Sequence, residues 1–253
     1  MKFPTQLHEA AQEHPYPLLF ATVSGAHLYG FPSPDSDWDL RGVHVLPARE
    51  VLGLQATRDT LSLDRVEDGL ELDLVTHDAA KFFSLMLKRN GYVLEQLHSP
   101  LVVHTTPEHA ELREIARSCV TRHHAHHYLG FSANQWKLFL KESPHRVKPL
   151  LYTFRTLLTG LHLMRTGEIE ANLCGLNGEA GLSWLDELMA RKIAGTEHET
   201  LDGGMAFYEG EYRRLTGELE HARDTSGLRD EVAPETRQAL SDLLVRLRLG
   251  DTR

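Results

Sequence analysis

The chain has 253 residues, enough for one large domain or two modest ones with a proper core. Hydrophobic residues make up 41% and charged residues 25%, and the net charge of −9 argues against a dedicated DNA-coating surface while leaving room for a local basic groove. Cys119 and Cys174 lie far apart with no CxxC spacing, which argues against a zinc ribbon and a disulfide scaffold. No apolar run approaches the roughly 20 residues of a membrane span. The opening MKFPTQLHEAAQEHP lacks a signal peptide's apolar stretch. A soluble, cytoplasmic protein with no membrane partner is the expectation.

In chain order, residues 6–13 predict a short helix stopped by Pro15 and Pro17. Leu18 to Val23 is a short apolar run ending at Gly25, the pattern of a buried strand. A Pro/Ser loop then leads to a second strand, Asp37 to Val45, closed by Pro47. Thr60 to Val66 and Leu70 to Thr76 predict two more strands, joined by the turn-like Glu67-Asp68-Gly69. The period turns helical between Val75 and Lys88, with Asp78 favouring the helix start, and a further short helix covers Tyr92 to Leu97. After residue 105 the chain reads as helical, with segments near 107–141, 146–166, 180–192, 205–223 and 234–249. The fold class expected is α+β: a mixed-sheet α/β domain over residues 1–105 followed by a helical domain over 106–253.

The chemistry concentrates between Val23 and Val45. Ser24-Gly25-Ala26 forms a small-residue turn whose backbone N–H groups suit phosphate oxygens. Asp37 and Asp39, one residue apart on a strand, point to one face. Two like charges aimed at one point call for a cation between them. A calcium loop opening at Asp35 fails, because Leu40 stands where Gly is needed and Leu46 where Glu is needed. Two-metal phosphoryl transfer commonly uses a third carboxylate. In LELDLV, Asp73 is the first candidate, since it sits deeper in the apolar run, and Glu71 is the second.

The strings SGAHLYG and PDSDWDLRGV resemble the RNA-repair-associated nucleotidyltransferases of the DNA polymerase β-like superfamily. That family's pattern falls here on Gly25, Tyr29-Gly30, Ser36-Asp37, Asp39, Arg41-Gly42 and Asp73. The likeness continues through Lys81 to Leu97 and Lys148 to Ile169. It implies a polymerase β-like catalytic domain that moves an NMP from an NTP to an acceptor hydroxyl and releases pyrophosphate. Asp37, Asp39 and Asp73 would be the catalytic carboxylates and would hold Mg²⁺, with Mn²⁺ as the substitute. Ser24, Gly25 and Ala26 would hold nucleotide phosphates, and Arg41 would either neutralise phosphate charge or make a structural ion pair. The family's Gly-Ser turn is Gly25-Ala26 here, so one expected hydroxyl is missing. A lost charge-assisted hydrogen bond is worth about 1.5–3 kcal/mol.

Two other groups of residues stand out. Lys137, Lys141, Arg146, Lys148 and Arg155 interleave with Trp136, Phe139, Tyr152 and Phe154. Lys148 and Arg155, inside the family-like segment, are the candidates for holding NTP phosphates or an RNA end. His123 and His127 would share a helix face at a zinc-competent spacing, but no third ligand is at hand, so ordinary surface or half-buried histidines are the reading for His123, His124, His126 and His127. The acceptor is left open among RNA, protein and a small molecule. An AMP-transferase acting on a protein and a nucleotide-sensing module with weak or no turnover are the competing functions.

Overall fold

A computed structural model of the chain describes residues 3–55, 57–196, 198–201 and 203–250. Its elements run α1 (Thr5–Gln12), β1 (Leu18–Val23), α2 (Gly25–Tyr29), β2 (Trp38–His44), α3 (Ala48–Leu52), β3 (Thr60–Glu67), β4 (Leu70–Asp78), α4 (Ala79–Leu87), α5 (Gly91–His98) and β5 (Val102–Thr105). The helices α6 (Pro107–Arg117), α7 (Ala125–Lys141), α8 (Val147–Thr166), α9 (Leu173–Ala180), α10 (Ser183–Ala194), α11 (Met205–Thr225) and α12 (Pro234–Leu249) follow, with a 3₁₀ turn at Arg122–His124. The α+β class is as expected.

The contacts group into two compact units. The first takes the described residues up to Gly25, Asp37–Cys119 and those from Glu231 onward; the second takes Ala26–Ser36 and Val120–Asp230. These units do not follow the change of character at residue 105, because α6 and α12 belong with the sheet.

In the first unit the five strands lie in the order β3-β4-β2-β1-β5. Only β2 and β4 run parallel; the other neighbours are antiparallel. The strand β1 is buried along its whole length, which is why its sequence is a continuous apolar run rather than an alternation. On one sheet face Leu40, Leu72, Leu74 and Val23 pack against Leu7 and Ala10 of α1. On the other, Phe20 meets Phe82 edge-on and stacks on the ring of His109. Asp68 and Gly69 both have positive φ (51° and 79°), so the β3–β4 hairpin turns on two residues and its register is fixed.

Helix starts follow their side-chain caps. Asp78 caps α4 by accepting from the Ala80 amide at 3.0 Å, and Asn90 caps α5 from the Tyr92 amide at 3.0 Å. Three expectations are corrected. The helical stretch 107–141 breaks into α6 and α7, because Thr121 and His124 form a reciprocal cap on the 3₁₀ turn that precedes α7. The segment 180–192 begins later, after Gly181 takes a left-handed conformation and separates α9 from α10. The second strand starts at Trp38, so Asp37 lies just ahead of it rather than within it. The short elements α2, α3 and β5 were not expected.

In the second unit α8 is the central helix, buried along most of its length and packed against α7 and α11. No helix among the described residues is long and apolar enough to cross a membrane.

Candidate active site

The parallel pairing of β2 with β4 sets Asp39 directly beside Asp73, and the fixed hairpin sets Asp64 of β3 beside Asp73 on the other side. On the β1 side, the Ser24 amide donates to the Asp39 carbonyl at 2.8 Å. Strand alternation turns Asp39 and Asp73 away from the leucine face that packs on α1. The Ser24 hydroxyl is buried with no hydrogen-bond partner among the described residues.

Gly25 is needed here for two reasons. Its φ is +61°, and a Cβ on it would fall 1.8 Å from Asp39 Oδ2. The Asp39 carboxylate therefore rests on bare backbone, which only glycine supplies.

Arg41 sits on the same strand face as Asp39, two residues on, with no irregularity in the β2–β4 register between them. Its Nη2 donates to Asp39 Oδ1 and Asp73 Oδ2, each at 2.7 Å. Its Nη1 donates to the carbonyls of Leu40 (3.0 Å) and Asp73 (2.7 Å), and its Nε donates to Tyr92 Oη at 3.1 Å. Burial opposes the guanidinium's charge, but the Tyr92 oxygen and the two carboxylates outweigh it and raise its pKa. Arg41 is thus the counter-ion of the carboxylate pair.

Asp37 and Asp73 line a shallow pocket of about 190 Å³ together with Asp64, Glu71 and Arg65. The donor set is all oxygen and anionic, which fits a hard divalent ion such as Mg²⁺ or Mn²⁺. Among the described residues no group of three or more His, Cys, Asp or Glu side chains is arranged to hold a metal ion. At this site Arg41 Nη2 lies 2.7 Å from both Asp39 Oδ1 and Asp73 Oδ2.

Sequence reasoning missed two members of this site. Asp64 was legible: a two-residue turn at Asp68-Gly69 pairs Glu67 with Leu70 and hence Asp64 with Asp73. Tyr92 gave no signal, since nothing local ties it to Arg41.

The remaining candidates lie in the second unit. Ala26 is buried in α2. Lys148 Nζ lies 5.7 Å from the Tyr152 ring centroid. Arg155 is 2% exposed and its guanidinium carbon lies 3.8 Å over the Tyr29 ring. Trp136, Phe139 and Phe154 are core, and Arg146 pairs with Glu142. The histidines separate: His123 is in the 3₁₀ turn, His124 accepts from the Thr121 amide, and His127 is inside α7. His123 thus lies ahead of α7 rather than within it. His127 is held neutral, its pKa lowered to about 4 by burial and by the charge of Arg155.

A mixed sheet with aspartates on neighbouring strands, beside a glycine turn after the first strand, agrees with the polymerase β-like fold class. The chain belongs to RlaP, the RNA repair pathway DNA polymerase beta family, whose sequence profile matches residues 2–246. It is 31% identical over 159 residues to the uncharacterized protein MJ0002 of Methanocaldococcus jannaschii, covering 61% of this chain and 63% of that protein. It is 26% identical over 166 residues to the uncharacterized protein YcgL of Bacillus subtilis, covering 65% of this chain and 63% of that one. The chain thus spans less than two thirds of the length of either relative. A nucleotidyltransferase-like protein of Exiguobacterium sibiricum overlaps 98% of this chain and 79% of its own, at 12% identity and a TM-score of 0.34. A TM-score that low is no guide to chemistry.

Proposed function

We propose that the protein transfers an NMP from an NTP to an acceptor hydroxyl. The new bond joins the acceptor oxygen to the α-phosphorus, and the bond to the β-phosphate oxygen breaks to release pyrophosphate. The observation that carries this reading is the convergence of Asp39 Oδ1 and Asp73 Oδ2 on one cationic nitrogen, each at 2.7 Å.

In this reading Asp37, Asp39 and Asp73 would hold Mg²⁺, or Mn²⁺ in its place. A bound divalent ion neutralises phosphate charge and polarises the reacting oxygens. Gly25 lets the Asp39 carboxylate rest against bare backbone at the turn. Asp73, with its side chain 39% exposed against 28% for Asp39, is open to the entering hydroxyl and orients it. The family's place in RNA repair makes an RNA end the acceptor of choice.

A nucleotide-sensing module is the second reading, favoured by Ala26 in the family's Ser position and by an arginine already paired with both carboxylates. One experiment separates them. The pure protein is incubated with each α-³²P-labelled NTP, Mg²⁺ or Mn²⁺ and cell extract, with a D37N/D39N variant alongside, and label is followed into RNA, protein and small molecules. Transfer that vanishes in the variant supports the enzyme and names the acceptor. NTP binding without transfer overturns it, and Ala26→Ser is then the variant to assay for recovered turnover.

A further inference from the structure

Arg41 directs all five of its N–H donors at partners in its own unit: Tyr92 Oη, the carbonyls of Leu40 and Asp73, and the carboxylates of Asp39 and Asp73. A guanidinium has no sixth donor to give. In this state Arg41 cannot also grip a phosphate. Its Nη2 occupies a point within 2.7 Å of both Asp39 Oδ1 and Asp73 Oδ2. A Mg²⁺ ion binds oxygens at about 2.0–2.1 Å, closer than the nitrogen stands, so ion and nitrogen cannot share that point.

We propose that Arg41 is the resident cation of the Asp39–Asp73 pair, tethered by Tyr92, and that a divalent ion enters the pair by displacing Nη2. The proposal rests on the metal-dependent reading given above. Arg41 keeps two mutually repelling carboxylates together while no metal is bound, and it gives them up when metal arrives. Tyr92 is a positioning residue: its amide is fixed by Asn90 in the first turn of α5, and its hydroxyl holds Nε at 3.1 Å. The tether acts on metal affinity without carrying charge at neutral pH.

Tyr92→Phe is the decisive variant, because it removes one tether and leaves every charge in place. Mn²⁺ binding to the nucleotide-free full chain is measured by electron paramagnetic resonance, for wild type, Y92F, R41Q and D39N/D73N. Displacement requires Y92F to bind Mn²⁺ about fivefold more tightly, the worth of one released hydrogen bond. R41Q should tighten it by at least about tenfold, and D39N/D73N should abolish it. In parallel, the Arg41 Nε–H resonance, identified by its loss in R41Q, should shift and exchange faster as Mg²⁺ is added. An unchanged or weaker Mn²⁺ affinity in Y92F, or an Nε–H resonance unmoved at saturating Mg²⁺, overturns the displacement while leaving the metal site intact. If even R41Q binds no Mn²⁺ at millimolar concentration, the metal-dependent reading falls and this proposal falls with it.

Discussion

The carboxylate of Asp39 lies against the bare Cα of Gly25, so close that a methyl group there would overlap Oδ2 at 1.8 Å. Gly25→Ala must therefore push Asp39 off its place beside Asp73, besides straining a φ of +61°. Strain of that kind costs about 1 kcal/mol or more. A displacement of about 1 Å at a reacting carboxylate costs on the order of 100-fold in rate. G25A should fold with a modest loss in urea unfolding yet lose label transfer by about that factor. Retention of wild-type transfer would show that Asp39 is not held by this contact.

Asp78 joins three elements of the first unit. Its Oδ1 accepts from the Leu46 amide at 3.1 Å, and its Oδ2 accepts from the Ala80 amide at 3.0 Å and from Arg248 Nη2 of α12 at 2.5 Å. The pair is buried, with side chains 3% and 10% exposed. Removing one partner of such a pair costs about 3–5 kcal/mol, because the other charge is left without compensation. Arg248→Met should lose about 3 kcal/mol in urea unfolding. Asp78→Ala should lose more, since the helix cap and the Leu46 contact go with it. Equal losses from the two variants would refute the shared role.

Much of this framework was legible in the sequence, and the failures have physical causes. Leu18 to Val23 could be read as a strand because a fully buried strand is apolar throughout. The β3–β4 hairpin could be read because Asp68-Gly69 is a turn signal, and that same turn implies Asp64 beside Asp73. The fifth strand, Val102–Thr105, was missed because four residues after a proline carry too little pattern. The break between α6 and α7 was missed because it comes from a histidine side chain closing on Thr121, which apolar periodicity does not record. Arg41 was read as either an ion-pair or a phosphate ligand. Deciding needed the positions of Asp73 and Tyr92, which lie 32 and 51 residues away.

Acid should destabilise the protein through His44. Burial, reinforced by nearby His14, lowers its pKa from the usual 6.5 to about 4; Asp78 opposes the shift, while Arg248 and His77 add to it. His14 is lowered as well, and both rings bond the Thr76 hydroxyl, at 2.9 Å from His44 and 3.0 Å from His14. Between pH 6.5 and 4 the unfolded chain takes up the proton that native His44 refuses. The unfolded state then binds more protons, so stability falls as pH falls through that window and is fully present above it. The Tm of wild type should drop across this range, and that of His44→Asn should drop less steeply whatever its absolute value. Parallel curves would assign the acid sensitivity elsewhere.

Arg155 is a structural cation of the second unit as it stands here. Its guanidinium stacks on Tyr29 at 3.8 Å and it is 2% exposed. A desolvated cation–π contact is worth about 2 kcal/mol, and a planar stack is not reproduced by lysine. Arg155→Lys should therefore lose stability in urea unfolding despite keeping its charge. Arg155→Met carries a second, more selective readout at His127, whose pKa is lowered to about 4 first by burial and then by the Arg155 charge. With that charge gone, the His127 imidazole should titrate at higher pH in an NMR titration, yet remain below 6.5 because burial persists. A His127 titration unmoved by Arg155→Met would mean that the arginine's charge does not reach the ring. The depression would then belong to burial alone.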